Sequence, residues 1–195
     1  MSCVYISDEP NPGKVSMFYL CSIGSNLDPH THVSRALAEL LAHVGPLQLS
    51  SVIRTKPVGM HSSHDFLNCL LVVESPLDAV RLKQRFVALE VAHGRDRSDP
   101  LCKVHDRPLD IDILASNRSG DFASAEVDSY LAELLAELYG HGEVHDPKVA
   151  LQVTLPAPSG KLKPGKGLLT RQVGLEPLVL GNLSEGGQRT PAIYL

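Results

Sequence analysis

Asp110 and Asp112, two residues apart inside Arg107-Pro108-Leu109-Asp110-Ile111-Asp112, are the strongest chemical feature of this 195-residue chain. Leu109, Ile111 and Ile113 alternate with them, so a period of two puts both carboxylates on one face of a strand and the aliphatics on the other. Strand rise sets the two acids about 6.5 to 7 Å apart at the backbone, close enough to converge on hard cations such as magnesium. A solvated sheet face also carries acids at alternate positions, so the neighbourhood must decide. The charged stretch 95–107 (RDRSDPLCKVHDR) brings Arg95, Arg97, Lys103 and Arg107 to the same strand end. Guanidinium forks bind phosphate oxygens, and two magnesium ions with a ring of arginines suit phosphoryl-type transfer, whose catalysis is mostly positioning and charge neutralisation. The other reading of these arginines is a solvated loop. No GxxxxGK[ST] run occurs, which excludes a P-loop as the phosphate cradle. Asp65-Phe66-Leu67-Asn68 adds an asparagine, whose donor and acceptor complement a pteridine or purine edge, and a phenylalanine face for stacking. Both are also ordinary at a strand end and in a core.

The elements that position these residues follow from periodicity. Residues 17–23 (MFYLCSI) form a short apolar run closed by Gly24, as for a buried strand. From His30 to Val44, apolar residues recur at three and four, which predicts a helix ended by Gly45-Pro46. Residues 47–55 and 66–74 read as strands flanking a loop. Ser75-Pro76 with Asp78 predicts a helix start with Ser75 as its cap, and the helix reaches His93 before Gly94. Residues 109–113 supply the last strand. The order βαββαβ predicts an α+β, ferredoxin-like core with an antiparallel sheet, both helices on one face and the other face free for a ligand. Beyond Ser116, leucines at 131, 134, 135 and 138 predict a third amphipathic helix over 126–139 that must cover an apolar surface. Residues 156–167 read as a Pro/Gly/Lys linker and 175–183 as a last apolar patch. The expected division is therefore an arm at 1–16, a core at 17–116 and an extension at 117–195 packed on it.

Composition narrows the class. Hydrophobic residues at 43% and charged residues at 21% exclude disorder throughout, and a net charge of −4 argues against a nucleic-acid footprint over the whole surface. Cys3, Cys21, Cys69 and Cys102 form no CxxC pair and are expected to be reduced thiols. The acidic, proline-containing start and the lack of an 18-residue apolar stretch predict a cytoplasmic protein without a membrane partner.

Read in order, GSNL at 24–27, RTKPVG at 54–59, DFLN at 65–68, LExxxGRxR at 89–97 and RPLDIDIL at 107–114 resemble the 6-hydroxymethyl-7,8-dihydropterin pyrophosphokinase family of folate biosynthesis. The likeness spans roughly residues 17–115, and that family has a ferredoxin-like core. It implies magnesium-dependent transfer of pyrophosphate from ATP to the pterin, releasing AMP. Asp110 and Asp112 would hold two magnesium ions. Arg95 and Arg107 would contact phosphates and transition-state charge, with Arg97, Lys103 and Ile113 toward ATP. The pterin would lie near Thr55, Val58, Phe66 and Asn68, while Glu90 would support the site. The chain has no tryptophan where members carry one before the DxD strand, its loop there is about two residues longer, and it has no downstream Pro-His segment. His145 and Arg171 are weaker candidates for that side. A catalytically degenerate pterin- or nucleotide-binding relative is the alternative, and a protein-contact role for the leucine-rich helix a third. The expected assembly is a monomer or weak homodimer, and Asp110→Ala is expected to abolish turnover with the fold intact.

Overall fold

The computed structural model describes residues 16–60, 62–102, 104–155 and 169–181. The predicted arm, apart from Ser16, lies outside these residues, as do Cys3, Lys103, the linker at 156–167 and the last two residues of the 175–183 patch.

The fold is α+β. Strands β1 (Met17–Ser25), β2 (Leu47–Leu49), β3 (Ile53–Thr55), β4 (Phe66–Ser75) and β5 (Asp110–Asn117) form one antiparallel sheet with β8 (Leu178–Leu180). The hydrogen-bonded order is β5-β1-β4-β2-β8, and β3 also pairs with β4. Helices α1 (Pro29–Val44) and α2 (Ala79–Ala92) pack on one sheet face. There Tyr19, Cys21 and Ile23 of β1, Leu67, Cys69, Leu71 and Val73 of β4, and Ile111 of β5 meet Val33, Leu37, Leu40 and Leu41 of α1 and Leu82 and Phe86 of α2. Cys21, Cys69 and Cys102 are free thiols, and burial pushes the Cys69 thiol up to about 12. Strands β6 (Leu151–Leu155) and β7 (Leu169–Val173) make a separate pair, and Leu151, Val153 and Leu155 join the same core.

Three predicted boundaries move, each for a local reason. Residues 47–55 divide into β2 and β3, because the three residues between Leu49 and Ile53 lie opposite the two between Leu71 and Asn68, an extra residue that bends the strand. At this break Ser50 Oγ accepts from Leu70 N at 2.9 Å, and Val52 turns its backbone to Val149 and Gly174. Ser75 does not cap α2: it ends β4 opposite Met17 and accepts from Leu77 N at 3.2 Å in a turn, while Asp78 is the cap and accepts from Arg81 N at 2.9 Å. The third helix is shorter than 126–139, a 3-10 turn at Ser129–Leu131 leading into α3 (Ala132–Leu138), because Asp128 is extended and Val127 is used in packing.

Among the described residues, the second sheet face is covered at one end and open at the other. Alternate residues Leu20 of β1 and Leu70 and Val72 of β4 are apolar there, and Phe122, Leu131, Leu134, Leu138 and Tyr139 cover them. Tyr139 Oη donates to Gly120 O and accepts from Phe122 N, each at 3.0 Å, fixing the loop that leads into this cover. Toward the other end the same face turns polar, with Ser22, Asn68, Asp110 and Asp112.

The two long helices are also tied by imidazoles. His93 Nε2 lies 3.0 Å from Glu39 Oε2, and its Nδ1 lies 2.9 Å from Nδ1 of His32, so these two nitrogens share one proton. Burial, and then His93, hold the His32 imidazole below its usual range. As pH falls through the ordinary histidine range near ~6.5, the unfolded chain takes a proton that the folded one resists. The melting temperature is therefore expected to fall between pH 7 and 5.5, and His32→Gln to flatten that slope. An identical slope in the variant would show that this pair does not contribute.

Candidate active site

The polar end of the second face is a cleft open to solvent, walled by β1, β3, β4, β5 and the loops around them. Its floor follows from strand alternation. Ser22 and Gly24 of β1, Phe66 and Asn68 of β4, and Asp110 and Asp112 of β5 project to one side, and pairing of Gly24 with both Asn68 and Asp110 sets them abreast. Thr55 of β3, then Lys56, Val58 and Met60, form one wall, Arg107 another, and Tyr130 of the 3-10 turn reaches in from the cover.

At one end of the cleft, buried Asn68 donates through Nδ2 to Thr55 Oγ1 at 2.7 Å. A Cβ on Gly24 would stand 2.9 Å from Asn68 Oδ1, so only glycine lets the amide approach β1 this closely, while Phe66 at 3.7 Å would be in ordinary contact. Arg107 lies 5.9 Å over the Phe66 ring, a cation–π distance.

At the other end Asp110 is held between two arginines. Arg95 pairs with its Oδ1, and Arg107 Nη1 lies 2.5 Å from its Oδ2. Burial raises the Asp110 pKa, but the hydrogen bonds and charges of Arg95 and Arg107 outweigh it and hold the carboxyl below the usual carboxylate range. Asp112 is more exposed, and Lys83 of α2 donates to its Oδ1 at 2.7 Å. Behind them lies Glu90, fully buried on α2. It accepts from Arg95 Nη1 at 3.1 Å, from Arg97 Nε at 2.8 Å and, through its other oxygen, from Ile111 N at 3.0 Å. Tyr130, beside the acids, has its phenol pushed above its usual range by burial and then by Asp128.

The loops at the mouth are fastened together. Asn26 donates to Asp106 at 2.6 Å and to Ser62 at 3.2 Å, accepts from Arg107 N at 2.7 Å, and His64 Nδ1 lies 2.7 Å from Asp106 Oδ2. The Ser62 hydroxyl, then His64 and Asn26, hold the Asp106 carboxyl below its usual range against some desolvation.

Among the described residues no group of three or more His, Cys, Asp and Glu side chains is placed to hold a metal unaided. The site does fit magnesium, which is commonly held by one or two carboxylates while phosphates and water complete its shell. Asp110 and Asp112 face the same cleft and are the carboxylates such an ion takes, and the Arg107 guanidinium beside them suits a polyphosphate.

Residues 20–162 match the family described as 7,8-dihydro-6-hydroxymethylpterin-pyrophosphokinase. The chain belongs to this pyrophosphokinase family. A relative from Porphyromonas gingivalis, named 2-amino-4-hydroxy-6-hydroxymethyldihydropteridine pyrophosphokinase, is 40% identical over 102 residues, 51% of this chain and 69% of the relative. A protein of the same name from Bacillus subtilis is 32% identical over 100 residues, 50% of this chain and 58% of that protein. The family match runs to residue 162, well past the last motif at 107–114.

Within this pyrophosphokinase fold, Thr55, Val58, Phe66, Asn68, Arg107, Asp110 and Asp112 meet in the one cleft. Arg95 does not line it. Its side chain is buried and spent on Asp110 and Glu90, and Arg97 is likewise bound to Glu90. Ile113 directs its side chain into the helix-side core. His145 is held by Glu133 on the surface, with Nδ1 3.1 Å from Oε1, and Arg171 lies on β7. Neither lines the cleft. Lys83 and Tyr130 were not identifiable from sequence: one lies in a charged helix and the other beside a leucine repeat, and only the packing brings them to the acids.

Proposed function

We propose that this cleft transfers pyrophosphate from ATP to 6-hydroxymethyl-7,8-dihydropterin in folate biosynthesis, releasing AMP. The observation that supports this most is the meeting, at one sheet end, of the Thr55–Asn68–Phe66 recess with the Asp110, Asp112 and Arg107 group. The strand order β5-β1-β4-β2, with both long helices on one face, is read as the ferredoxin-like arrangement. The core at 17–116 and the extension act as one catalytic unit, since Tyr130 of the extension lines the cleft. Among the described residues no helix is long and apolar enough to cross a membrane; the enzyme is read as working in the cytoplasm, as a monomer or weak dimer.

In this reading the pterin lies against Phe66 near Val58, and Asn68, oriented by Thr55, reads its donor–acceptor edge. Its hydroxymethyl oxygen attacks the β-phosphorus of ATP and loses its proton to solvent. The bond from that phosphorus to the α,β-bridging oxygen breaks, and AMP leaves with the oxygen. Asp110 and Asp112 would hold magnesium, which would supply charge neutralisation to the polyphosphate. Arg107 faces the cleft and is the arginine placed to meet the polyphosphate. Arg95, with Arg97 behind it, acts through Asp110 by fixing its orientation.

Incubation with magnesium, ATP and the pterin should yield AMP and the pterin diphosphate in equal amounts. Pterin binding by calorimetry without either product would instead indicate a non-catalytic binding relative. Gly24→Ala, whose Cβ must displace the Asn68 amide, is expected to raise the pterin KM about tenfold or more, since leaving such an edge unpaired costs ~1–3 kcal/mol. An unchanged KM would move the pterin away from β1.

A further inference from the structure

The outer edge of β5, the side away from β1, is gripped by one face of α2. Lys83 and Glu90 stand seven residues apart, two helical turns, and so point the same way. Ile111, between the two acids, gives its N–H to Glu90 Oε1 at 3.0 Å, and its carbonyl accepts from Lys83 Nζ at 2.5 Å. Both backbone groups of the residue that sets the spacing of Asp110 and Asp112 are thus bound by side chains of one helix. Lys83 does more than Glu90 here. The same Nζ donates to Asp112 Oδ1 at 2.7 Å and lies 3.5 Å from Glu90 Oε1. One oxygen of Asp112 is therefore committed to an ammonium, and Oδ2 is the oxygen left for another cation.

We propose that Lys83 is a positioning residue for this site: it fixes Asp112 by one oxygen, leaves the other to the divalent cation, and lowers the affinity with which that cation is held. The inference rests on reading Asp110 and Asp112 as metal ligands. Two effects follow, and they run in opposite directions. Without the ammonium the field at the carboxylates is more negative, so a divalent cation binds more tightly. Without the hydrogen bonds to Ile111 and Asp112 the carboxylate is no longer held in one geometry, so turnover slows. A residue that merely stabilised the helix against the sheet would not tighten metal binding.

The test is titration of the full chain with manganese(II) in the presence of α,β-methylene-ATP, read by electron paramagnetic resonance, together with steady-state kinetics in magnesium. Lys83→Met is expected to bind manganese on the order of tenfold more tightly while kcat falls and the pterin KM stays put. Lys83→Arg, which keeps the charge, should restore the wild-type metal affinity. Manganese affinity in Lys83→Met equal to or weaker than wild type would overturn the proposal. Asp112→Asn separates the two levels: if it binds manganese as the wild type does, the reading of the acids as metal ligands is what fails. If it loses the ion while Lys83→Met is unaltered, only the role of Lys83 fails. Should Lys83→Met melt below the assay temperature, Lys83→Gln gives the same reading with a smaller change in polarity.

Discussion

Asp112→Asn is expected to lower pyrophosphate transfer by about 10³-fold or more while leaving the melting temperature nearly unchanged. The amide keeps the shape of the carboxylate but loses the charge a divalent cation needs, and metal-dependent charge stabilisation worth several kcal/mol corresponds to at least this factor. The fold loses little, because the pair that Asp112 makes with Lys83 is partly exposed, and such pairs contribute roughly 1 kcal/mol or less. Asp110→Ala should also be inactive, but it is not the neutral substitution the sequence suggests. Asp110 is a partner of the buried Arg95 side chain, and removing it takes away part of that charge's compensation, so this variant should melt lower as well. Product formation near the wild-type rate in Asp112→Asn, followed as AMP and pterin diphosphate, would remove the acid from the mechanism.

Glu90→Ala carries the largest expected cost in stability. The carboxylate is fully buried and serves Arg95, Arg97 and the Ile111 N–H together, with Lys83 at 3.5 Å. Breaking such a buried cluster by deleting one partner typically costs ~3–5 kcal/mol. For a chain of this size that is about 10 °C in melting temperature. Activity should fall too, because Arg95 then loses one of its two carboxylate partners and β5 loses one of its ties to α2. Glu90→Gln preserves the shape and one acceptor, so it should recover part of the stability. A melting curve for Glu90→Ala that overlays the wild type would show the cluster to be marginal.

The sequence made the floor of the cleft legible because strand periodicity is local information. Asp110 and Asp112 could be put on one face from Leu109, Ile111 and Ile113 alone, and they line the cleft together. Asn68 and Phe66 could be placed at a strand end in the same way. What it concealed was longer in range. The burial of Arg95 depends on how α2 lies along β5, and no pattern in the charged loop distinguishes it from Arg107, which faces the cleft. The third helix was visible as a leucine repeat, but not that its cover would close one end of the sheet face expected to be open. The break at Ser50-Ser51 was hidden because apolar and hydroxyl residues continue through it without a glycine or proline. The false cap at Ser75 has the opposite origin: Ser-Pro is as good a turn as it is a helix start, and the ten residues of β4 settled the matter.

The strand order also governs how the chain must come together. β1 lies between β4 and β5, whose pairings reach from Met17 to Ser75 and from Phe18 to Asn117, and β8 closes beside β2, with Leu180 opposite Leu47. Three of the five described seams of the sheet therefore join residues far apart in the chain, and loop-closure entropy must be met before those contacts reward it. A growing polypeptide would hold β1 without a strand partner until β4 had been made, and with one edge unpaired until β5 had followed. Refolding should accordingly be slow beside that of a helical protein of equal size, and the half-made sheet, with Leu20, Leu70 and Val72 still uncovered, is the stage at which a chaperone has most to hold.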